Sequence, residues 1–360
     1  MSGRKTAFLG EGSFGCLLDP PVPCERGQDT KIRARHRGSS RDQHLVGKVF
    51  MDREDYEEES RLARIAAKID PTGEKMLTPI QGCRTTAARI EKHPGSPRCE
   101  AFQDYLDSKK GPQMPQHPMY ELKMPYGGQR LDKYLRNHAG EHTPRDLVAR
   151  MIPVFEGVVA LAEHRYIHQD IKGPNLLLTP EGRVVIIDFG LMVSADHLVD
   201  PANLGRLRHT YFPYPPEYKL YWHLNDDAGC RAKGATCRWI VQEAGKNFAH
   251  FGRDRQETFE ILFAREQWED ILAKVEDRMR SNPDAELKKT WDRIDVYSVG
   301  AVFLDVWRYL RLDDPAGAIP AAFLRGLVHP DPGQRFTPMQ ALEEARSIAA
   351  CKKSATKGRS

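Results

Sequence analysis

Two polar stretches lie close together near the middle of the 360-residue chain. The first covers residues 168–175 and reads His-Gln-Asp-Ile-Lys-Gly-Pro-Asn, and the second is Asp188-Phe189-Gly190. A carboxylate can orient an attacking hydroxyl, a lysine can neutralise a transferred phosphate, and oxygen ligands can hold Mg2+. The set predicts a site for phosphoryl transfer, with Asp170 as the base and Lys172 beside the phosphate. Asn175, which is also counted among the catalytic residues, and Asp188 are the predicted magnesium ligands.

A predicted β-hairpin joins these two stretches. Residues 175–179 and 184–187 are rich in apolar side chains, and Pro180-Glu181-Gly182 between them is a turn signature. Antiparallel pairing of the two segments would hold Asp188 against the asparagine that ends the first stretch. His168 is predicted to be structural, because the carboxylate two residues later is better suited to accept a hydroxyl proton.

A glycine-rich segment near the amino terminus is the predicted nucleotide loop. Its glycines permit a tight turn whose backbone amides can approach phosphates without a β-carbon in the way. The spacing also fits a dinucleotide-binding fold or a plain surface hairpin, but Pro20-Pro21-Val22-Pro23 forbids the helix that the former needs. The residues predicted to contact the nucleotide here are Leu9, Gly10, Glu11, Gly12, Ser13, Phe14, Gly15 and Leu17.

Lys48 lies in a short β-prone segment. A lysine in a half-buried strand needs a partner or a ligand, because burying an unpaired ammonium is costly. Residues 55–68 predict a helix whose first turns carry three glutamates, where carboxylates suit the helix dipole. Glu59 is the predicted partner of Lys48, because the apolar residues three and seven positions later would turn with it toward the core. Glu58 is the alternative.

The segment after these elements predicts a hinge. Residues 119–125 predict a strand, and a glycine pair at 127–128 separates it from a predicted helix that begins at Leu131. The backbone of Lys123 and Met124 would be free there to hydrogen-bond a purine edge. A further buried helix is expected from the Thr143 cap, through the apolar positions to Leu161, on the way to His168.

The composition is that of an ordinary globular protein, with 40% hydrophobic residues and a formal charge of only +4. No apolar run approaches the roughly 20 residues that span a bilayer, and the first residues do not resemble a signal peptide. We therefore expect an intracellular protein with no membrane partner and no specific nucleic-acid partner. Seven cysteines, an odd number scattered along the chain, predict no disulfide framework and a reducing compartment.

Taken in order, these motifs resemble those of the eukaryotic-type serine/threonine protein kinases. The glycine loop, Lys48, Glu59, the stretch 170–175 and the Asp-Phe-Gly triplet follow one another as they do in that family. The resemblance implies an α+β, two-lobed fold. Its β-rich lobe would cover 1–124 and its mainly helical lobe 125–350, with a basic flexible tail at 351–360. It also implies ATP and Mg2+ as cofactors and protein hydroxyls as substrates.

Later motifs support the same resemblance. Tyr214-Pro215-Pro216-Glu217 stands where the family has Ala-Pro-Glu, and residues 295–300 resemble its buried central helix. By analogy, Glu217 and Arg335 form a buried ion pair beneath the peptide-binding surface. Small-molecule kinases lack this set, so a protein substrate is favoured, and Thr210 and Lys172 match the serine/threonine branch. A pseudokinase scaffold and a small-molecule kinase remain the alternatives.

Two departures from the family pattern stand out. Gln169 replaces an arginine that normally receives an activation-loop phosphate, so control by such a phosphate is not expected. Residues 218–290 form a long insertion in which the periodicity at 255–280 predicts a helix, and Cys230, Cys237 and His223 match no standard zinc spacing. This insertion, together with Cys24 after the prolines and the sequence Tyr-Pro-Pro-Glu-Tyr at 214–218, makes the chain resemble kinases of nucleocytoplasmic large DNA viruses. That likeness would place the protein in the cytoplasm or nucleus of a host cell, or in a virion.

Overall fold

A computed structural model gives the structure of the chain. The residues it describes are 7–12, 15–27, 29–32, 44–108, 116–204, 213–225, 262–263, 265–311 and 319–351. The chain divides into two units, Met1–Gly127 and Gly128–Ser360. Among the described residues, no helix is long and apolar enough to cross a membrane.

The amino-terminal unit is built on a six-stranded sheet in the order β1-β2-β4-β6-β5-β3, in which every neighbouring pair is antiparallel. Its elements are β1 (Ala7–Gly12), β2 (Gly15–Asp19), β3 (Asp29–Lys31), β4 (Leu45–Phe50), α1 (Arg53–Ile69), β5 (Gln81–Thr86), α2 (Ala87–Glu91), α3 (Glu100–Ser108) and β6 (Pro118–Pro125). The glycine-rich segment joins two antiparallel strands. A dinucleotide-binding fold needs a strand followed by a helix at this point, so that alternative is excluded.

The carboxyl-terminal unit is mainly helical. Its elements are β7 (Gln129–Arg130), α4 (Leu131–Asn137), α5 (Pro144–Arg150), α6 (Ile152–Glu163), β8 (Tyr166–Ile167), β9 (Leu176–Leu178), β10 (Val184–Ile186), β11 (Val193–Ser194), α7 (Pro201–Leu204), α8 (Pro216–Asn225), α9 (Arg265–Ser281), α10 (Pro283–Lys289), α11 (Ile294–Val306), α12 (Ala321–Val328) and α13 (Pro338–Ala350). Helix α11 is buried on every side, with Asp305 its one residue outside the core. A helix that is apolar all round belongs at the centre of a domain.

The single helix expected between Thr143 and Leu161 is in fact two helices. The first begins in a capping box, in which the Thr143 hydroxyl accepts from the Asp146 backbone N–H and the Asp146 carboxylate accepts from the Thr143 backbone N–H. It ends at Arg150, and α6 starts at Ile152 with Pro153 in its first turn. The prediction of one helix is wrong because proline has no N–H for a continuous helix and is tolerated only in a first turn.

The insertion predicted at 218–290 is described only in part. Residues 226–261 and 264, which include Cys230, Cys237 and the first part of the predicted helix, lie outside the described residues. The rest of that helix is α9, and its Val275 and Met279 pack in a core cluster with Tyr218 and Leu287. The helical periodicity of this segment therefore marks a face that is buried in the carboxyl-terminal unit.

Four cysteines of the amino-terminal unit form two disulfides, Cys16–Cys99 and Cys24–Cys83. The prediction of a chain without disulfides is wrong. The expectation of a reducing compartment, which rested on that prediction, is therefore no longer supported. The partners are 83 and 59 residues apart, and the folded sheet brings them together. Connectivity of this kind cannot be derived from sequence spacing. Among the described residues, the one free cysteine is the exposed Cys351.

A buried ion pair joins α8 to the segment before α13. Both guanidinium nitrogens of Arg335 contact the Glu217 carboxylate, at 2.6 and 2.9 Å, and the two side chains are 0% and 2% exposed. Arg335 also donates to the backbone carbonyls of His329 and Arg293, and its guanidinium lies over the Tyr297 ring. The fork geometry satisfies a charge that would otherwise be buried without compensation.

Replacing Glu217 by alanine should destabilise the carboxyl-terminal unit by about 3 to 5 kcal/mol, because Arg335 would remain buried without its counter-charge. Urea unfolding followed by tryptophan fluorescence measures this loss. The matched control is Arg346→Ala, which removes an exposed ion pair to Glu156 and should change the stability by less than about 1 kcal/mol. Equal losses in the two variants would contradict the assigned importance of the buried pair.

Candidate active site

The loop between β8 and β9 holds the Asp170 carboxylate between an amide and an ammonium. Asn175 Nδ2 donates to Asp170 Oδ2 at 2.7 Å and to the Asp170 backbone carbonyl at 3.0 Å. Lys172 Nζ lies 3.0 Å from the other carboxylate oxygen, Oδ1. Asp170 is only 6% exposed, so its orientation is fixed by these contacts and not by solvent.

Asn175 and Asp188 lie at the open ends of the predicted hairpin. Strands β9 and β10 pair antiparallel, and the Ile187 N–H donates to the Asn175 carbonyl at 3.0 Å. Asn175 uses its amide nitrogen toward Asp170, which leaves its side-chain oxygen as a ligand of the kind that Mg2+ prefers. Asp188 has a φ of 64° and supplies a carboxylate. The donor set therefore fits a magnesium ion.

His168 links the two polar stretches. Its ring Nε2 lies 3.2 Å from the Ile187 carbonyl, and its Nδ1 accepts from the Asp170 N–H at 3.2 Å. The ring is fully buried and meets Phe189 edge to face. A residue with both ring nitrogens occupied in this way acts structurally.

Asp295, in the first turn of α11, holds the backbone of the loop between β8 and β9. Its carboxylate accepts the backbone N–H groups of His168 at 2.6 Å and Gln169 at 3.0 Å. Burial raises the pKa of Asp295, while the His168 side chain and these two N–H bonds act in the opposite direction. Sequence reasoning assigned no role to this residue. The available signal was a carboxylate in the first turn of a helix whose next nine residues carry no charge.

In the amino-terminal unit, the glycine loop is a β1–β2 hairpin with close backbone packing. A β-carbon at Gly15 would lie 1.8 Å from the Val49 carbonyl oxygen, and its φ of 151° also favours glycine. Leu9 lies at an irregularity of the β1–β2 register, and Leu17 lies opposite Lys48 in the sheet. Ser13 and Phe14 lie outside the described residues.

Glu11 of this loop has a partner that the sequence did not suggest. Its carboxylate accepts the backbone N–H groups of Glu100 at 3.1 Å and Ala101 at 2.5 Å, at the start of α3. The first N–H groups of a helix have no partners within the helix, and a carboxylate satisfies them. The loop is thereby attached to a helix whose position in the fold was not predicted.

Lys48 and Glu59 form a close ion pair within the amino-terminal unit. Lys48 Nζ lies 2.7 and 2.6 Å from the two Glu59 carboxylate oxygens, and the side chains are 13% and 9% exposed. Glu58, the alternative partner, instead pairs with Arg61 on the outer face of α1. The structure thus selects Glu59, and the role of the pair toward a nucleotide stays a prediction.

The backbone predicted to bind a purine is part of the sheet. Lys123 and Met124 lie within β6, where Met124 is opposite Val46 and Lys123 is opposite Gly47 and Gln81. The Lys123 carbonyl accepts the Ile80 N–H at 2.8 Å. The expectation that the Lys123 backbone is free is wrong, because the strand continues to Pro125 before the glycines. The contact of Met124 with a purine stays a prediction.

Part of the chain, including this site, is similar in sequence to known protein kinases. Residues 114–228 match the family model described as "Protein tyrosine and serine/threonine kinase". The chain is similar to Misshapen-like kinase 1 of Rattus norvegicus, with 32% identity over 97 residues that make up 27% of this chain and 6% of that protein. It is similar to MAP3K epsilon protein kinase 1 of Arabidopsis thaliana, with 53% identity over 49 residues, or 13% of this chain and 4% of that protein.

A further relative is chitin elicitor receptor kinase 1 of Physcomitrium patens, with 30% identity over 118 residues, or 31% of this chain and 18% of that protein. The chain thus spans less than a fifth of the length of each of these three relatives. The matched segment carries the whole of the loop at 168–175 and the Asp188 triplet. The fold is that of a protein kinase.

Gln169, which stands where the kinase pattern has an arginine, makes a buried contact of its own. The Gln169 side chain is buried, and its Nε2 donates to the Tyr218 hydroxyl on α8 at 2.7 Å. Tyr218 is also buried and packs edge to face against Tyr214, with ring centres 5.4 Å apart. Burial raises the pKa of Tyr218 well above its usual range, so its hydroxyl is neutral and matches a neutral amide. The glutamine therefore joins the loop at 168–175 to α8 through a hydrogen bond between uncharged groups.

A double-mutant cycle should detect this tie. Gln169→Leu and Tyr218→Phe should each destabilise the protein by about 1 to 3 kcal/mol, because each leaves a buried polar group unpaired. The double variant should recover part of the sum, with a coupling energy of about 0.5 to 1.5 kcal/mol from urea unfolding. Strictly additive losses would show that the two side chains do not interact.

Proposed function

We propose that the chain is an ATP-dependent serine/threonine protein kinase. The observation that carries the proposal is the Asp170 carboxylate, held 2.7 Å from Asn175 and 3.0 Å from Lys172 in a segment that matches the kinase family model. Phosphoryl transfer is catalysed mainly by positioning and charge stabilisation, and this arrangement supplies both. The proposed cofactors are ATP and Mg2+.

In this mechanism Asp170 orients a serine or threonine hydroxyl and accepts its proton as the oxygen attacks the γ-phosphate of ATP. Lys172 donates to the transferred phosphate and neutralises the charge that develops on it. Asn175 and Asp188 provide the oxygen ligands for Mg2+, which supplies charge neutralisation on the phosphates when bound. Asp295 keeps the loop backbone in place throughout, because it holds two N–H groups of that loop.

The amino-terminal unit contributes the triphosphate contacts in this proposal. Lys48 binds the α- and β-phosphates, and Glu59 holds the ammonium in position through two short contacts. The glycine loop offers its backbone N–H groups to the phosphates, and the tight packing at Gly15 explains why no larger residue is present there. Leu9, Leu17 and Met124 are the proposed contacts of the nucleoside.

The substrate is proposed to be a protein. The Glu217–Arg335 pair supports the floor on which family members bind peptides, and small-molecule kinases lack this motif. Lys172 favours serine or threonine over tyrosine, and Thr210, which would support the same conclusion, lies outside the described residues. A pseudokinase scaffold is disfavoured, since binding alone has no need of the ordered set around Asp170.

The finer resemblance to kinases of nucleocytoplasmic large DNA viruses is also a proposal. It is supported by the long insertion that contains α9, by Cys24 after three prolines, and by the sequence Tyr214-Pro-Pro-Glu-Tyr218. A solved viral kinase with a helix equivalent to α9, packed on the equivalent of α8, would support it. A viral kinase with no helix at this position would weigh against it.

Asp188→Ala should lower magnesium-dependent phosphate transfer to a generic basic protein by more than about a hundredfold, because a metal ligand is lost. Transfer from radiolabelled ATP measures this, and phosphoamino-acid analysis reports whether serine, threonine or tyrosine is labelled. The control is Asp196→Ala, which removes an exposed carboxylate paired with Arg165 and should leave transfer unchanged. Unchanged turnover in Asp188→Ala would refute the magnesium assignment.

The same assay separates the alternative functions. A protein kinase labels the basic protein and members of a peptide library, whereas a small-molecule kinase labels a sugar or aminoglycoside panel. Binding of a fluorescent ATP analogue without transfer to any acceptor would favour the pseudokinase. Labelling of small molecules alone would overturn the proposed substrate class.

A further inference from the structure

The two disulfides differ in how deeply their cysteines are buried. Cys16 and Cys99 are 0% and 1% exposed, so both ends of that bond are buried. In the second bond Cys83 is 1% exposed, whereas Cys24 is only partly buried. Thiol exchange begins when a thiolate reaches one sulfur of the bond, so access decides which bond reacts. Cys24 is the most exposed of the four disulfide cysteines.

A buried carboxylate lies beside the protected end of this second bond. Cys83 on β5 and Glu121 on β6 face each other across the sheet, and Glu121 Oε2 lies 4.0 Å from Cys83 Sγ. Both sulfurs and a Glu121 oxygen lie within 4.8 Å of one another. Glu121 is 0% exposed and its Oε1 accepts the Val22 N–H at 2.6 Å. The carboxyl is therefore held against the disulfide.

Burial raises the pKa of Glu121 to about 7, and Lys123, whose Nζ lies 3.7 Å away, acts in the opposite direction. Among the described residues, the titratable or charged groups against Glu121 are Lys123 on its own strand and the sulfurs of Cys83 and Cys24. Strand β4 contributes Gly47, where a β-carbon would meet the Glu121 carboxylate. A group with this pKa carries a proton below neutrality and has lost it above.

We propose that Cys24, Cys83 and Glu121 form a thiol-exchange site, at which a small thiol of the glutathione type attacks Cys24 and Cys83 is the leaving group. The attacking thiolate forms a new bond to Cys24 Sγ, the Cys24–Cys83 bond breaks, and its electron pair goes to Cys83. The Glu121 carboxyl passes its proton to the Cys83 thiolate. A second thiol releases Cys24 as a thiol and leaves as the oxidised thiol dimer, so two thiols are oxidised while one disulfide is reduced.

The surrounding backbone contacts do not depend on the disulfide. The Glu25 N–H donates to the Arg84 carbonyl at 2.8 Å, and the Thr85 hydroxyl donates to the Pro23 carbonyl at 3.0 Å. These bonds keep the Cys24 segment on β5 when the sulfurs separate. The reaction is therefore local and reversible, whereas Cys16–Cys99, beside the glycine loop, stays closed. The inference stands independently of the proposed kinase activity.

The test is a site-resolved exchange experiment on the full-length oxidised protein. The protein is incubated with reduced glutathione at neutral pH, quenched with acid, alkylated and mapped by peptide mass spectrometry. We expect a glutathione adduct on Cys24 and a free thiol on Cys83, forming at least about tenfold faster than any change at Cys16 or Cys99. An added small-molecule disulfide is the control for the activity of the glutathione, and Cys351, which is exposed and has no disulfide to exchange, is the control for alkylation.

Three results would overturn the proposal. They are an adduct that forms first on Cys83, equal reaction of the two disulfides, and no adduct on Cys24 although the added small-molecule disulfide is reduced. Each would show that the partial exposure of Cys24 does not decide where the thiolate attacks. None of these readouts requires a variant to fold.

Glu121→Gln tests the proton transfer separately, because the amide keeps a hydrogen-bond acceptor for Val22 but has no acidic proton. The wild type should exchange about tenfold faster than this variant below pH 7. That advantage should disappear as the pH rises through 7, because Glu121 loses its proton there. A rate ratio that stays constant across this range would exclude Glu121 as the proton donor.

Discussion

The carboxylate of Asp295 holds the one segment of backbone on which the candidate site depends. It lies in the first turn of a helix in which every other residue except Asp305 is also buried. It accepts the backbone N–H groups of His168 and Gln169, which lie 127 and 126 positions earlier in the chain. Gln169, one of those residues, has a φ of 64°, a conformation that a residue with a β-carbon adopts only under constraint. A charge–dipole contact in a dry interior is strong enough to enforce it. Asp170, the next residue, is positioned as a result.

His168 connects this loop to the hairpin segment that carries Asp188. The imidazole touches the Asp170 N–H with one nitrogen and the Ile187 carbonyl with the other, so the loop and the hairpin share one rigid connection. Asp188 follows Ile187 directly and also has a positive φ of 64°. Gln169 and Asp188, the two residues with positive φ, are thus each next to a residue that makes a hydrogen bond with a buried side chain: His168 with Asp295, and Ile187 with His168. The strain at the candidate site is maintained by buried polar contacts of His168 and Asp295, which are not among the predicted catalytic residues.

How far the sequence predicted this depends on the range of each interaction. The β9–β10 hairpin, helix α1 and the choice of Glu59 follow from local spacing, because i+3 and i+7 neighbours decide which side chain turns inward. The Glu217–Arg335 pair came from a resemblance. The disulfides and Asp295 were missed, since their partners are brought together by tertiary structure across 59 to 127 residues. The break between α5 and α6 could have been predicted from Pro153, which is tolerated only in the first turn of a helix. The regular spacing of apolar residues across the break instead suggested one continuous helix.

Gln169 shows how the fold can depart from the kinase sequence pattern while the loop keeps a buried contact to α8. An arginine at this position would bring a charge against the buried Tyr218 hydroxyl, whose ionisation is suppressed by burial, and it would need a counter-charge to remain there. The neutral amide makes its contact at 2.7 Å with no added group. Loop and helix α8 are then joined by this one hydrogen bond, while the other end of the amide, Gln169 Oε1, is buried without a hydrogen-bond partner among the described residues. The contact between this loop and α8 is therefore made by two uncharged side chains and needs no added phosphate.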